Sequence, residues 1–514
     1  MPPGLIRGVG KGGLLTCPNS CSALRSNWTN VQGAAAMFTP DQNRQQAVFD
    51  RLRQGILSGT LPAGARLPPT RALADELGVA RQTVVLAYER LASEGYVRAR
   101  TGSGTFVSPD LPDAAPAPAT PPPTAASSLS RRGQQIAVVP VSAHPRQPTL
   151  GTLLAGGIPA PDLFPREAWA RCAAKVMKTF PADLTGYPSA QGLPELRTQI
   201  AAHLAATRGL LADPDNIVVT AGTQQALRIA ADLLLDPDDT AWVEDPGYIA
   251  GRGALLAAGA TPVPVISDIE GLDVAAGIQR APDARLALVA PSHATPLGGA
   301  LPIARRLALL DWAARANAWI LEDDCDSEFR WSGHPLPPLA TLDRAGRVIY
   351  CGTFSKTLAP ALRLGFAVVP APLVPAFVRA CALSGRGIDT FNQGTLAEFM
   401  RQGLLAPHIR RMRTEYSRRR DALLAALARH APSIRPIDAP GGLHMVGCLS
   451  AGTDEAGAVV ACRARGLAVS PLGTYYAGPP RMTGLIMGFA GTPAALAADT
   501  AKRLEAALRG GNGK

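Results

Sequence analysis

Gly352-Thr353-Phe354-Ser355-Lys356-Thr357-Leu358, running on to Arg363-Leu364-Gly365, is the stretch around which the chain is organised. Just before it, Arg347-Val348-Ile349-Tyr350 reads as a short apolar strand, which puts Lys356 on a loop leaving a sheet. Sheets of α/β enzymes carry their reactive groups there. A lysine beside two hydroxyls, with an arginine seven residues on, has the chemistry a pyridoxal phosphate site requires. The amine must lose its proton to form a Schiff base with an aldehyde, and cationic or apolar surroundings lower its pKa. Thr353, Ser355 and Arg363 would hold the phosphate. Taken alone, the stretch reads more simply as an exposed lysine in a Ser/Thr loop. The rest of the chain decides.

From about Gly151 onward, apolar strands alternate with helical stretches: Asn216–Thr220, Ala241–Val243, Leu286–Val289, Trp319–Leu321, Val348–Tyr350 and Leu364–Val368. This predicts an α/β body with a mainly parallel sheet. Ala221-Gly222-Thr223-Gln224-Gln225 follows a strand and opens a helix, whose first N–H groups can receive a phosphate. Many strand-to-helix turns share that look. Glu244-Asp245-Pro246-Gly247-Tyr248 offers an aromatic for stacking on a flat ring, and a packed tyrosine is the ordinary alternative. Glu322-Asp323-Asp324-Cys325-Asp326 puts acids at a strand end, where one buried carboxylate can pair with a protonated pyridine nitrogen. A solvated acidic loop or a metal site is the competing reading. No histidine neighbours this loop in sequence, and no metal is expected.

At 514 residues, with 47% hydrophobic and 18% charged residues, the chain has room for two to four domains and a large core. No apolar run reaches the ~18–20 residues of a membrane span. A formal charge of +11 permits a polyanion partner, but the arginines are spread along the whole chain. The eight cysteines form no CxxC pair, which suits free thiols in a reducing cytoplasm. Residues 1–36 lack the apolar core of a signal peptide and read as a disordered extension.

Between residues 37 and 108 the pattern changes. Ala47, Val48, Leu52, Ile56 and Leu57 recur at helical spacing from Gln42 to Leu57. A helix over Arg71–Leu77, a break at Gly78, a helix over Arg81–Ser93 and a hairpin from Tyr96 to Val107 complete a winged helix-turn-helix. Arg81, Gln82 and Thr83 would enter the major groove. Arg98 and Arg100 would meet phosphates or the minor groove, with Arg66, Arg71 and Gly102 completing the expected DNA-contacting set. A helical dimerisation or protein-binding module is the alternative. Residues 109–148, rich in Pro, Ala, Ser and Thr, read as a solvated linker, leaving 149–514 to the body.

Ile56-Leu57-Ser58-Gly59, Leu61-Pro62-Ala63-Gly64, Arg66-Leu67-Pro68, Arg71-Ala72-Leu73-Ala74, Arg81-Gln82-Thr83-Val84 and Gly102-Ser103-Gly104-Thr105-Phe106-Val107 resemble, in order and spacing, the DNA-binding domain of GntR-type bacterial regulators. Pro69 and Ala80 stand where that family usually has helix-capping serines. The run from phosphate turn to aromatic, aspartate, lysine and arginine resembles the fold type I pyridoxal phosphate enzymes, the aspartate aminotransferase superfamily, over residues ~150–510. Head and body together resemble the MocR/GabR-type branch, supported by Tyr187-Pro188, Pro291-Ser292-His293, Asp326-Ser327-Glu328-Phe329-Arg330 and His408.

The resemblance implies that Lys356 forms the internal aldimine and Asp323 pairs with the pyridine nitrogen. It implies phosphate contacts from Gly222, Thr223, Gln224, Thr353, Ser355 and Arg363, ring stacking by Tyr248, and a reach by Tyr187 to a partner subunit's phosphate. Cys325 occupies the place of a tyrosine that hydrogen-bonds the ring hydroxyl, and Thr295 that of an asparagine serving the same oxygen. Leu485-Ile486-Met487-Gly488-Phe489 lacks the arginine that aminotransferases use for a substrate carboxylate, with Arg481 a candidate replacement. The expectation is a cytoplasmic, dimeric, DNA-binding regulator. It would sense an amino compound or the cofactor itself, and its operator would lie near its own gene. A working aminotransferase with a dispensable head is the alternative, and an apo-scaffold that binds DNA without cofactor is the third reading.

Overall fold

The computed structural model describes residues 44–111, 129–139, 152–179, 186–331, 337–437 and 439–511. The extension expected over 1–36 lies outside them. The chain divides into two compact units, residues 1–128 and 129–514.

The smaller unit holds helices α1 (Arg44–Leu57), α2 (Thr70–Leu77) and α3 (Arg81–Ser93), and strands β1 (Val97–Arg100) and β2 (Gly104–Val107). Helix α1 buries Val48, Phe49, Leu52 and Ile56, a 1-3-4 spacing that sets one stripe inward. Val84, Ala87, Tyr88 and Leu91 of α3 close on the same core. Gly78 ends α2 in the left-handed region at φ 62°, with its N–H on the Ala74 carbonyl, and so makes the turn between the two helices. Strands β1 and β2 pair antiparallel from Val97 opposite Val107 to Arg100 opposite Gly104. These elements match the expected winged helix-turn-helix.

The larger unit opens with α4 (Arg131–Ala137). This corrects the solvated linker expected over 109–148. Ser130 caps the helix through Gly133 N–H, and Arg132 donates to the Ala257 carbonyl, so part of that stretch is seated on the body.

The main sheet runs β3 (Ile217–Thr220), β10 (Gly365–Val368), β9 (Val348–Thr353), β8 (Trp319–Asp324), β7 (Leu286–Val289), β4 (Thr240–Asp245), β5 (Thr261–Asp268), β6 (Gly271–Leu272) across its width. The block from β9 to β5 is parallel. β10 is antiparallel to both its neighbours, and β6 to β5. Strands β3 and β7 are buried at every residue, as unbroken apolar strands covered on both faces must be. Strand β5 escapes a sequence reading because Thr261-Pro262-Val263-Pro264 is half-exposed and interrupted by prolines.

A second sheet, β11 (Arg435–Ile437), β12 (His444–Cys448), β14 (Gly484–Gly488) and β13 (Ser470–Pro471), is antiparallel. It packs against the helices Leu405–His430 and Ala497–Gly511. The observed body is thus α/β with a mainly parallel central sheet. The C-terminal ends of β4, β7, β8 and β9 gather Asp245, Val289, Asp324 and Thr353 along one edge, where open α/β sheets bind ligands.

Candidate functional site: a cofactor pocket and a DNA-facing head

Lys356 leaves the end of β9 in a tight turn held by its own hydroxyls. Thr353 Oγ1 donates to Ser355 Oγ at 3.0 Å, and Ser355 N–H donates back to Thr353 Oγ1 at 3.2 Å. The Lys356 amine donates to the Gly157 carbonyl at 2.7 Å, across almost two hundred residues of chain. It is therefore not a free surface lysine.

Four turns carry the other candidate residues. Gly222 begins the helix Thr223–Leu234 at φ 88°, a conformation suited to glycine, and the Arg363 guanidinium lies 4.0 Å from where a Cβ would stand. A Cβ on Gly365 would meet the Gly222 Cα at 2.6 Å, so two glycines bring the Gly222 turn against β10. Arg363 is exposed and shares a cavity wall with Gln224. Thr223 Oγ1 and Gln224 Oε1 are buried without a partner, while Gln224 Nε2 donates to the Ala250 carbonyl at 2.7 Å. An unpaired buried hydroxyl at a helix N-terminus is what a bound phosphate oxygen would satisfy.

Asp323 is 6% exposed, and burial pushes its carboxyl up to about 7 despite the nearby Lys356. Cys325 Sγ donates to Asp323 Oδ1 at 2.7 Å, so the thiol expected near a ring hydroxyl is directed to the aspartate instead. Tyr248, half-buried, lines one small pocket with Asp323 and Glu244. Burial also pushes Glu244 up to about 8. One of its oxygens accepts from Ala290 N–H and the other has no partner. Nothing in the local sequence marked this carboxyl as buried. Asp324, one residue along β8, faces the other way: it accepts from Tyr350 Oη at 2.6 Å and pairs with Arg208 at 2.8 Å.

Tyr187 does not enter this pocket from its own chain. It is 83% exposed, with the Arg386 guanidinium 5.1 Å from its ring centre. Arg481 is held by Asp245, Nη1 to Oδ2 3.5 Å, and lies over the Tyr476 ring. The β14 residues Leu485, Ile486 and Met487 are buried and apolar.

The fold also assembles a group the sequence kept apart. His293, Asp326 and His444 bring one donor atom each within 4.8 Å of one another, so the acidic loop does have histidine neighbours. Arg208 and Arg330 line the cavity beside His293 and Asp326, and their fixed charge opposes a cation there. Burial holds His293 down at about 4, hence neutral.

On the head, Arg71, Arg81 and Gln82 are exposed at the starts of α2 and α3, and Thr83 is half-buried. Arg81 Nε reaches Thr70 Oγ1 at 3.5 Å. Neither Pro69 nor Ala80 supplies a side-chain cap. Arg66 lies against Gly104, Arg100 over the Phe106 ring at 5.2 Å, and Arg98 is 3.7 Å from Asp110. Gly102 makes the hairpin turn at φ 75°.

Residues 162–492 match the family model described as aminotransferase class I and II, and residues 44–107 that of bacterial regulatory proteins, gntR family. The chain is similar to the probable rhizopine catabolism regulatory protein MocR of Rhizobium meliloti, 39% identical over 88% of this chain and 91% of the relative. It is similar too to the pyridoxine biosynthesis transcriptional regulator PdxR of Corynebacterium glutamicum, 34% identical over 86% and 90%. Among solved structures, the α-aminoadipate aminotransferase LysN of Thermus thermophilus, complexed with N-(5'-phosphopyridoxyl)-L-leucine, matches with a TM-score of 0.68. The two are 28% identical, and the match covers 74% of this chain and 97% of that one.

Proposed function

The chain belongs to the aminotransferase class I and II family, in the branch that joins such a domain to a GntR-type helix-turn-helix head, and from that premise we propose a transcriptional regulator whose body senses amino compounds through pyridoxal phosphate. The observation that carries this reading is the meeting of the docked Lys356 amine, buried Asp323 and the Gly222–Arg363 turn in one chain with an intact DNA-binding head.

Pyridoxal phosphate supplies an aldehyde that reacts with amines, attached to an electron-withdrawing ring. Lys356 would join its aldehyde, Asp323 would hold the proton of the ring nitrogen, and Tyr248 would stack on the ring. Thr223, Gln224, Thr353, Ser355 and Arg363 would bind the phosphate, with Gly222 leaving the space. An amino compound bound beside Lys356 and Asp323 would change the charge and packing of the pocket. That change is the input to an allosteric coupling with the head. Two copies would act together in the cytoplasm, Tyr187 of one reaching the phosphate of the other. Arg66, Arg71, Arg81, Gln82, Thr83, Arg98, Arg100 and Gly102 would contact duplex DNA. Steady turnover is disfavoured because Arg481 is engaged by Asp245 and β14 presents only apolar side chains.

The test is a footprint on the DNA upstream of the protein's own gene, with and without pyridoxal phosphate. Protection of a repeat that changes with cofactor is expected for wild type, and no cofactor response for Lys356→Ala. Absence of protection at low salt, together with turnover of an amino donor, would replace the regulator by the enzyme.

A further inference from the structure

The short helix α4 is an unlikely piece of structure by itself. Seven residues are too few to stay helical in water, and none of its side chains is buried. What holds it is its own N-cap and a small set of contacts with the body. Ser130 Oγ accepts from Gly133 N–H at 3.0 Å. The Arg132 guanidinium donates to the Ala257 carbonyl from Nε at 3.2 Å and Nη2 at 2.9 Å. That carbonyl belongs to the last turn of the helix Ile249–Ala258, where no internal donor remains for it. Arg132 also lies 3.7 Å from Asp232, which is already paired with Arg228 at 2.7 Å.

Ile136 and Val139, at the far end of this segment, line a cavity of about 620 Å³. The same cavity is lined by Gln224 and Arg363, two residues of the phosphate cup. Arg228, Asp232 and Arg363 line the same cavity, and Asp232 pairs with Arg228 and lies 3.7 Å from Arg132. A dianionic phosphate in the cup would offset the positive charge of Arg228 and Arg363 in the cavity that the end of this segment also lines.

We propose that residues 129–139 form a cofactor-sensitive latch: the phosphate of the bound cofactor tightens the seating of α4 on the body, and its loss releases the helix. The proposal rests on the phosphate reading of Gly222–Gln224 and Arg363 given above. Its consequence is that the covalent tether between the two units is anchored at Arg132 when the cup is filled. It is freed over a longer stretch when the cup is empty, which changes the effective concentration of the head at its operator.

Hydrogen exchange of the amides Gly133–Val138 in the full chain tests this, with the visible absorbance of lysine-linked cofactor recorded on the same samples. Pyridoxal 5'-phosphate is expected to slow exchange by about tenfold. Pyridoxal, which has the same aldehyde and no phosphate, is expected to give the absorbance change without that slowing. Arg132→Ala should abolish the protection and keep the cofactor absorbance. Absorbance that develops with exchange unchanged would overturn the latch and leave the cofactor site standing. Equal protection by pyridoxal and its phosphate would overturn the role of phosphate. No absorbance with either compound would remove the site reading and the latch together.

Discussion

Replacing Asp323 by Asn isolates the electrostatic core of the site. The carboxyl has an ordinary value of 3.8 and is pushed to about 7 by burial, so an ionised Asp323 costs the cofactor-free body about 4 kcal/mol. The sign follows from proton uptake. Between about pH 4 and 7 the folded state holds a proton that the unfolded state has released, so stability falls as pH rises through that window. From pH 5 to 8 the loss assigned to Asp323 is about 3 kcal/mol. The groups that act on it are Lys356, Cys325, Asp326, Glu244 and Tyr248, with Asp324 on the opposite face of β8. All persist in Asp323→Asn, and the amide oxygen can still accept from Cys325. Urea unfolding of cofactor-free protein at pH 5 and 8 should therefore show a decline shallower in the variant by about 3 kcal/mol. Saturating cofactor should flatten the wild-type decline, since the ring nitrogen's proton gives the carboxylate a partner, and should do little for the variant. Identical slopes for the two cofactor-free proteins would refute the account of Asp323.

Thr223→Val removes a buried hydroxyl that has no partner, so the cofactor-free body should be unchanged or more stable by up to about 1–3 kcal/mol. Cofactor affinity should fall tenfold or more in equilibrium dialysis, and an unchanged affinity would exclude Thr223 from the phosphate cup. In the head, Leu91 is fully buried, and Leu91→Ala should cost about 2–5 kcal/mol. Mobility shifts should then report lost DNA binding while cofactor absorbance persists; parallel loss of both would show that the two units do not fold independently.

The head was legible almost to the residue because its signals are local. Glycine stops at Gly78 and Gly95 and the helical spacing of Val48, Leu52 and Ile56 need no distant partner. Lys356 was legible through the residues around it, and Gly222 through the strand before it. Other features depend on chain segments meeting in space. The acceptor for Lys356 is Gly157, and the neighbours of Asp326 come from positions 293 and 444. The burial of Glu244 follows from strands on both sides of β4. α4 hides in a composition that reads as linker, since the partners of its Arg132, Ala257 and Asp232, come from distant parts of the chain.

Helices α2 and α3 begin at Pro69 and Ala80, which offer their first amides no side-chain acceptor. Such a cap contributes about 0.5–2 kcal/mol, so each helix start is left incomplete in the free protein. A DNA phosphate is an acceptor of the same kind, drawn to the positive end of a helix. An operator phosphate placed at either start would complete that cap, and the melting temperature of the head would then rise with DNA concentration. Selection acting on these two positions would adjust residence time on DNA without altering any residue that reads a base.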